Sequence, residues 1–391
     1  MKPINLIKKA VKYSAAFGYG LFHGQKKQIM FESFNGRTYS DNPRAVSEKM
    51  HELFPDFQLI WAFTEPAKAE QRVPDYIHVV SRNSFEFYKT LTESFCYVTN
   101  EAILYDTPKR RDQVFIQTWH GDRGFKKILY DAWQDGKRPT PVMDEKLTDL
   151  FVVGSEYASE RIKTAFRYQG STLALGCPRN DCLIIPKDIN FVREKIGVPE
   201  GKKILLYAPT LRKNDIVKSN VNISDTLAHL GIRGGEWVCL VRAHPKSPRL
   251  DYDFDENIID VSRYPDMADL QMIADMLITD YSSCAGDFIL KRKPLILAQF
   301  DLELYMKEYR TFYMDIQKIG YIIAKSQEEL NHLLDTMTDD QFAENCNHIL
   351  QFYGTKETGH AAEAVCRWID EKYKKSNKNE TLEDRYLDTA K

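Results

Sequence analysis

The sequence predicts an α/β protein built as two parallel sheets, each with crossover helices. Three observations carry that expectation. Short apolar runs recur at residues 28–33, 58–63, 114–118 and 150–153, and again at 203–208, 237–241, 276–279 and 294–297. Segments of helix length separate them, which is the pattern of buried parallel strands joined by helices. Polar clusters follow the carboxyl ends of the runs, where open parallel sheets bind their ligands.

Composition agrees with this. A chain of 391 residues can bury two cores. Hydrophobic residues make up 43% and charged residues 28%, a globular balance. The net charge of -2 argues against bulk nucleic-acid binding, which needs a basic excess. The seven cysteines are scattered and form no CxxC pair, so neither a disulfide framework nor a zinc site is expected, and a reducing compartment fits. No run approaches the ~20 apolar residues of a membrane span.

The expected divisions are a basic segment at 1–27, an N-terminal domain at 28–186, a C-terminal domain at 187–371 and a polar tail at 372–391. Residues 187–199 read as the linker, and the tail as frayed or as a loosely docked helix. Within the basic segment, Ile4, Ile7, Val11 and Ala15 share one helical face, and Lys8, Lys9 and Lys12 lie on the other. Such a helix can lie in a membrane surface with its lysines on anionic lipid. It can equally be an ordinary docked helix.

The strand ends carry the candidate chemistry. Gln117-Thr118-Trp119-His120-Gly121 puts a histidine just past a strand, with Arg123, Lys126 and Lys127 following. A lone histidine there is structural as readily as catalytic. Val241-Arg242-Ala243-His244-Pro245-Lys246 repeats the arrangement in the second half. Two such ends facing across a cleft can share general-base and leaving-group roles, with arginine offering a fork of donors to phosphate. Ile278-Thr279-Asp280-Tyr281-Ser282-Ser283 leads from a strand into a helix start, which reads as an anion cradle or as plain N-capping. Gly176-Cys177-Pro178-Arg179 and Tyr207-Ala208-Pro209-Thr210-Leu211-Arg212-Lys213 add cationic turns. The chain lacks a Walker loop, a GxGxxG and a GxSxG. Residues 251–255 alternate aspartates in a polar loop and read as a solvated face rather than a metal pair.

The ordered set TWHG, GxPRND, LYAPTLR, RAHP and ITDYSS, with the later Tyr309-Arg310-Thr311-Phe312-Tyr313-Met314-Asp315, resembles the CDP-glycerol glycerophosphotransferase family. The early block Ser33 to Pro43 is similar to that family's as well. The resemblance implies a GT-B architecture, two Rossmann-like halves facing across a cleft. It implies transfer of glycerol phosphate from CDP-glycerol to a lipid-linked or polymer hydroxyl, with CMP leaving, in teichoic-acid or related cell-surface polymer synthesis. His120 then matches the general base and His244 its partner at the donor pyrophosphate. Ser282, Ser283, Arg212 and Arg242 match donor-binding positions, as do Asp280 and Asp266 by segment. Arg123, Lys126 and Arg179 are expected near an acceptor or a phosphate. No cofactor or metal is expected, and the enzyme is placed as a peripheral protein on the cytoplasmic face of a Gram-positive membrane.

Two departures touch the acceptor side: Asp122-Arg123-Gly124-Phe125-Lys126 follows His120-Gly121, and Arg310-Thr311-Phe312 stands where the family has Arg-Gly-Phe/Tyr. The chain also lacks the large extra N-terminal domain of the long polymerases, which favours a primase or a side-branch or capsule enzyme. The rival expectations are a CDP-ribitol enzyme of the same fold, a GT-B nucleotide-sugar glycosyltransferase or epimerase, and a non-catalytic polymer-binding protein.

Overall fold

The apolar runs fold into two all-parallel sheets. The computed structural model describes residues 14–388 apart from 16–17, 20–23, 71, 106, 133–141, 186–187, 211–220, 244–253 and 309–310, with side chains to residue 377. Most of the basic segment at 1–27 therefore lies outside the described residues.

The first sheet has seven strands. In chain order its elements are β1 (Lys26–Glu32), α1 (Asp41–Leu53), β2 (Gln58–Phe63), β3 (Ile77–Ser81), α2 (Phe85–Glu93), β4 (Ser94–Thr99), β5 (Val114–Gln117), β6 (Leu150–Val152), α3 (Glu156–Ala165) and β7 (Ser171–Leu173). The spatial order is β3-β2-β1-β4-β5-β6-β7. The central pair sets Met30 beside Tyr97 and Phe31 beside Val98. Alternate residues of β1 face opposite layers, so Ile29 and Phe31 join Val46 and Met50 of α1, while Met30 joins Phe87 and Leu91 of α2.

The second unit begins with α4 (Ile189–Ile196) and β8 (Lys203–Ala208), then α5 (Ile223–Ile232), β9 (Trp237–Val241), β10 (Ile258–Asp260), α6 (Met267–Ile273), β11 (Met276–Thr279), α7 (Cys284–Phe288), β12 (Leu295–Ala298) and β13 (Ile323–Ala324). Its six strands run in the order β10-β9-β8-β11-β12-β13. Helices α8 (Gln327–Thr336), α9 (Asp339–Phe352) and α10 (Ala361–Asp388) follow. Both sheets reverse strand order beside their first strand. That switch point is where ligands enter doubly wound sheets.

Two of the expected divisions are corrected. Residues 187–199 are not a bare linker. Asp188 caps α4 by accepting from the Asn190 N–H at 2.9 Å, Gly197 ends it at φ 80°, and Val192 and Val198 enter the second core. Nor does the second domain run to residue 371, and of the two expectations for the tail the structure shows the docked helix. Helix α10 crosses back to the first sheet, where Val365, Cys366 and Ile369 are buried against Ile29, Phe31 and Trp61. It continues unbroken past residue 372, and Tyr373 lies edge-on to Phe57 and Phe95 at 5.3 and 5.1 Å. Ile369→Ala should therefore destabilise the first domain by about 2–5 kcal/mol, the range for truncating a large buried aliphatic. A change below about 1 kcal/mol in urea unfolding would show that α10 only rests on the surface.

Candidate active site

The His120 turn is built by the end of β5. Gln117 points its amide back into the sheet, donating to Asp144 at 2.7 Å and to the Glu101 carbonyl at 2.8 Å. Its oxygen accepts from the Trp119 N–H at 2.9 Å. Trp119 is thereby held at φ 49°, an uncommon conformation for a bulky residue. From α1, Asn42 donates to the carbonyls of Thr118 and Trp119 at 3.2 and 2.9 Å. Burial pushes the Asp144 carboxyl up to about 7, against its bonds from Gln117 and the Ile103 N–H. His120 then leaves the turn with its ring between Phe34 and Trp119, at 5.2 and 4.1 Å between centroids. Its Nδ1 lies 2.7 Å from the Asn100 carbonyl. A carbonyl only accepts, so Nδ1 carries the hydrogen, and in the neutral ring the lone pair is on Nε2.

This turn abuts the second domain. A Cβ on Gly121 would stand 3.6 Å from the Ser283 hydroxyl, and one on Gly124 would stand 3.3 Å from the Ser283 Cβ. Ser283 precedes α7 without capping it. Ser282 Oγ accepts from the Cys284 N–H at 3.4 Å, and the Ala285 and Gly286 N–H groups go to the carbonyls of Ser282 and Ser283. The Cys284, Ala285 and Gly286 amides are thus engaged within the turn, which leaves the serine hydroxyls among the groups this segment can offer. Arg242 follows β9. Its Nη1 is buried with no partner among the described residues, and burial lowers its pKa although Asp266 opposes the shift. His244 and Arg212 lie outside the described residues.

Four other candidates are not placed as expected. Asp280 is buried and accepts from the N–H groups of Thr210 and Tyr281 and from the Thr210 hydroxyl, so it anchors the end of β8 rather than facing a ligand. Asp266 caps α6 through the Ala268 N–H and takes the Asp41 N–H and Arg44 from the first domain at 2.9 and 3.2 Å. Arg123 is fully buried, donating to Asp122, Asp287, Glu357 and the carbonyls of Gly154 and Gly286. Arg179 is also buried, on Asp287 at 2.9 Å and Asp41 at 3.2 Å. These arginines tie the domains together and do not reach an acceptor. Lys126 sits at the seam, where 126 and 312 form an antiparallel bridge flanked by Lys127 N–H to Thr311 O and Tyr313 N–H to Phe125 O.

The arginine cluster needs two glycines. A Cβ on Gly154 or Gly176 would come within 2.5 Å of the Glu357 carboxylate, which accepts from Arg123, Asn180 and the Cys177 N–H. Burial pushes the Asp287 carboxyl up, but Arg179 and Arg123 outweigh it and hold the group below the usual range.

Sequence reasoning missed Gln117, Asn42, Asp144 and Arg161. Arg161 of α3 lies against the rings of Tyr157 and Tyr313, its guanidinium carbon 4.0 and 3.6 Å from their centroids. The Tyr157–Arg161 spacing of one helical turn was the available signal. A groove of about 390 Å³ also runs along the seam, lined by Asp41, Glu48, Asp181, Asp266, Asp269 and Glu363 among others. Carboxylates outnumber cations on its walls, which also carry Arg44, Lys49 and Arg179.

Comparison with known proteins places this geometry. Residues 17–371 match the family described as CDP-Glycerol:Poly(glycerophosphate) glycerophosphotransferase. The teichoic acid glycerol-phosphate transferase of Staphylococcus aureus is 30% identical over 398 aligned residues, covering 93% of this chain and 99% of the relative. The teichoic acid poly(glycerol phosphate) polymerase of Staphylococcus epidermidis is 30% identical over 87% of this chain, which spans about half of that relative's length, 50%. The solved structure of the wall teichoic acid polymerase TagF superposes with a TM-score of 0.83 at 27% identity, covering 96% of each chain.

Proposed function

The chain belongs to the CDP-glycerol:poly(glycerophosphate) glycerophosphotransferase family, and from that premise we propose that it moves glycerol phosphate from CDP-glycerol to the hydroxyl of a lipid-linked or polymer acceptor. The observation that carries this reading is the contact between the His120 turn and Ser283. It sets the turn that carries His120 against the Ser283 hydroxyl of the opposite domain, with no partner for His120 Nε2 among the described residues.

The acceptor oxygen attacks the β-phosphorus of CDP-glycerol. One P–O bond forms, the bond to the bridging oxygen breaks, and CMP leaves. His120 Nε2 takes the acceptor's proton. Ser282, Ser283 and Arg242 hold the diphosphate and offset the charge that develops on CMP, with His244 and Arg212 assigned there by motif. Such a reaction needs positioning and charge stabilisation more than covalent help.

Incubating the purified protein with CDP-glycerol, CDP-ribitol or a UDP-sugar, each with a lipid-linked acceptor, tests the reading. CMP release and acceptor extension are expected from CDP-glycerol. Turnover of CDP-ribitol alone would reassign the polyol, and UDP release would reassign the reaction class. Because hydroxyls and cations are assigned to the diphosphate, turnover is expected to persist in excess EDTA. Loss that Mg²⁺ or Mn²⁺ restores would instead require a carboxylate metal site.

The acceptor's lipid anchor puts the work at a membrane. No helix among the described residues is long and apolar enough to cross one. Contact is assigned to the lysines of the basic segment at 1–27, at about 1 kcal/mol per cation near anionic lipid. Deleting residues 1–24 should cut co-sedimentation with anionic vesicles and leave turnover on a soluble acceptor intact. Equal sedimentation of the truncated protein would place the contact elsewhere.

A further inference from the structure

We infer that Phe34 is a positioning residue for His120: Asn100 holds its ring beside the imidazole, and the ring keeps Nε2 aimed at the acceptor hydroxyl. The inference rests on the transfer reaction proposed above and adds what orients its general base.

Phe34 lies in the loop after β1, and its backbone is left-handed at φ 48°. Asn35 and Gly36 follow at 58° and 77°. Asparagine and glycine enter that region readily, whereas a bulky side chain does so at a cost. A residue in that state persists only where its surroundings hold it, and such residues cluster at active sites. Core packing does not account for it here. Phe34 is half-buried and joins no apolar cluster of either domain among the described residues.

The loop is tied down on several sides. The Phe34 N–H donates to Asn100 Oδ1 at 2.8 Å, and the Phe34 carbonyl accepts from Arg37 Nε at 2.7 Å. The Gly36 and Arg37 N–H groups both donate to the Ser33 carbonyl. Gly36 passes so close to β2 that a Cβ there would stand 3.0 Å from the Ala62 carbonyl. So held, the Phe34 ring packs on His120, with 5.2 Å between centroids and 56° between planes.

Asn100 serves both rings. It is fully buried just past β4, and its Nδ2 donates to Ser33 Oγ at 3.2 Å. Its side-chain oxygen holds the Phe34 backbone, while its carbonyl accepts from His120 Nδ1 at 2.7 Å. The two loops follow β1 and β4, the adjacent strands at which the order of the sheet reverses. One hydrogen bond leaves an imidazole room to pivot, because its terminal torsion is broad. A ring packed beside it narrows that freedom. Misplacing a reacting group by about 1 Å can cost about 100-fold in rate, so the restraint bears on turnover.

Phe34→Gly tests this, since glycine adopts the same backbone without strain and brings no ring. Its kcat is expected to fall about 10- to 100-fold, with KM for CDP-glycerol within about twofold of wild type and the thermal midpoint within a few degrees. Phe34→Tyr restores a ring and should recover kcat to within about threefold. Asn100→Ala keeps the main-chain carbonyl but releases the Phe34 N–H, so it should lose as much as Phe34→Gly. The double variant should be no slower than either, because both changes free the same ring. A kcat for Phe34→Gly within about twofold of wild type would overturn the inference, as would a loss confined to KM or losses that multiply in the double variant. A readout without turnover separates this from the reaction itself. The proton resonance of His120 Nδ1–H, assigned by its absence in His120→Ala, should be present in wild type and broadened by exchange in Phe34→Gly. A resonance missing from wild type, or unchanged in Phe34→Gly, would also overturn the inference. A wild-type protein that shows the contrast but releases no CMP would sink the proposed reaction and leave the restraint on His120 standing.

Discussion

Replacing His120 with alanine is expected to lower turnover at least about 100-fold, the lower end for a positioned acid–base group. The geometry makes the claim specific. The Asn100 carbonyl fixes the hydrogen on Nδ1, so the nitrogen lost is the one able to accept the acceptor's proton. The fold should survive, because among the described residues the ring meets the Phe34 and Trp119 rings and the Asn100 carbonyl, and the turn itself is held by Gln117 and Asn42. CDP-glycerol should bind the variant about as well as wild type. Turnover within a few-fold of normal would remove His120 from the mechanism and leave proton transfer to another group.

Replacing Asp287 with alanine is expected to destabilise the protein by about 3–5 kcal/mol, the cost of breaking a buried ion pair from one side. Asp287 accepts from Arg123, Arg179 and Asn180, all of the first domain, while its own helix α7 belongs to the second. Its removal leaves two buried guanidinium groups short of an anion. The pH dependence has a definite sign. The folded group titrates below its ordinary value of 3.8, so its contribution is present above that value and is lost as the pH falls through the lower folded one. The variant's deficit should thus be full at pH 7 and shrink in strong acid. Urea unfolding at pH 7 that differs from wild type by less than about 1 kcal/mol would mean that the cluster does not hold the domains.

Much of the fold was legible because buried parallel strands are short apolar runs. Strand β4 was not, although it lies at the centre of the first sheet. It follows α2 with no intervening turn, from Glu93 directly to Ser94, so neither glycine nor proline marks the change. β3, β7, β10 and β13 are short and flank polar loops, which weakens their signal. The His120 turn and the serines were legible from their positions after strands. Arg123 and Arg179 were misread because an arginine beside a glycine turn looks the same whether it meets a ligand or a carboxylate from 100 or more residues away. The partners, Asp287 and Glu357, come from the other half of the chain. Arg161 was missed for the same reason, since Tyr313 reaches it across the seam.

Because α10 returns to the first sheet, a ribosome releases the first domain unfinished. Synthesis proceeds from the amino terminus, and domains generally fold in that order. Here the strands β1 to β7 emerge long before Val365, Cys366 and Ile369, which complete their core. The face of β1 and α1 that those residues cover must wait, apolar and open, until nearly the whole chain has been translated. The second sheet has its own core and meets no such delay. The order of completion is therefore the reverse of the order of synthesis, and the nascent first half is the stretch that needs a chaperone's cover. A gene fragment ending between β7 and α4 would be caught permanently in that state.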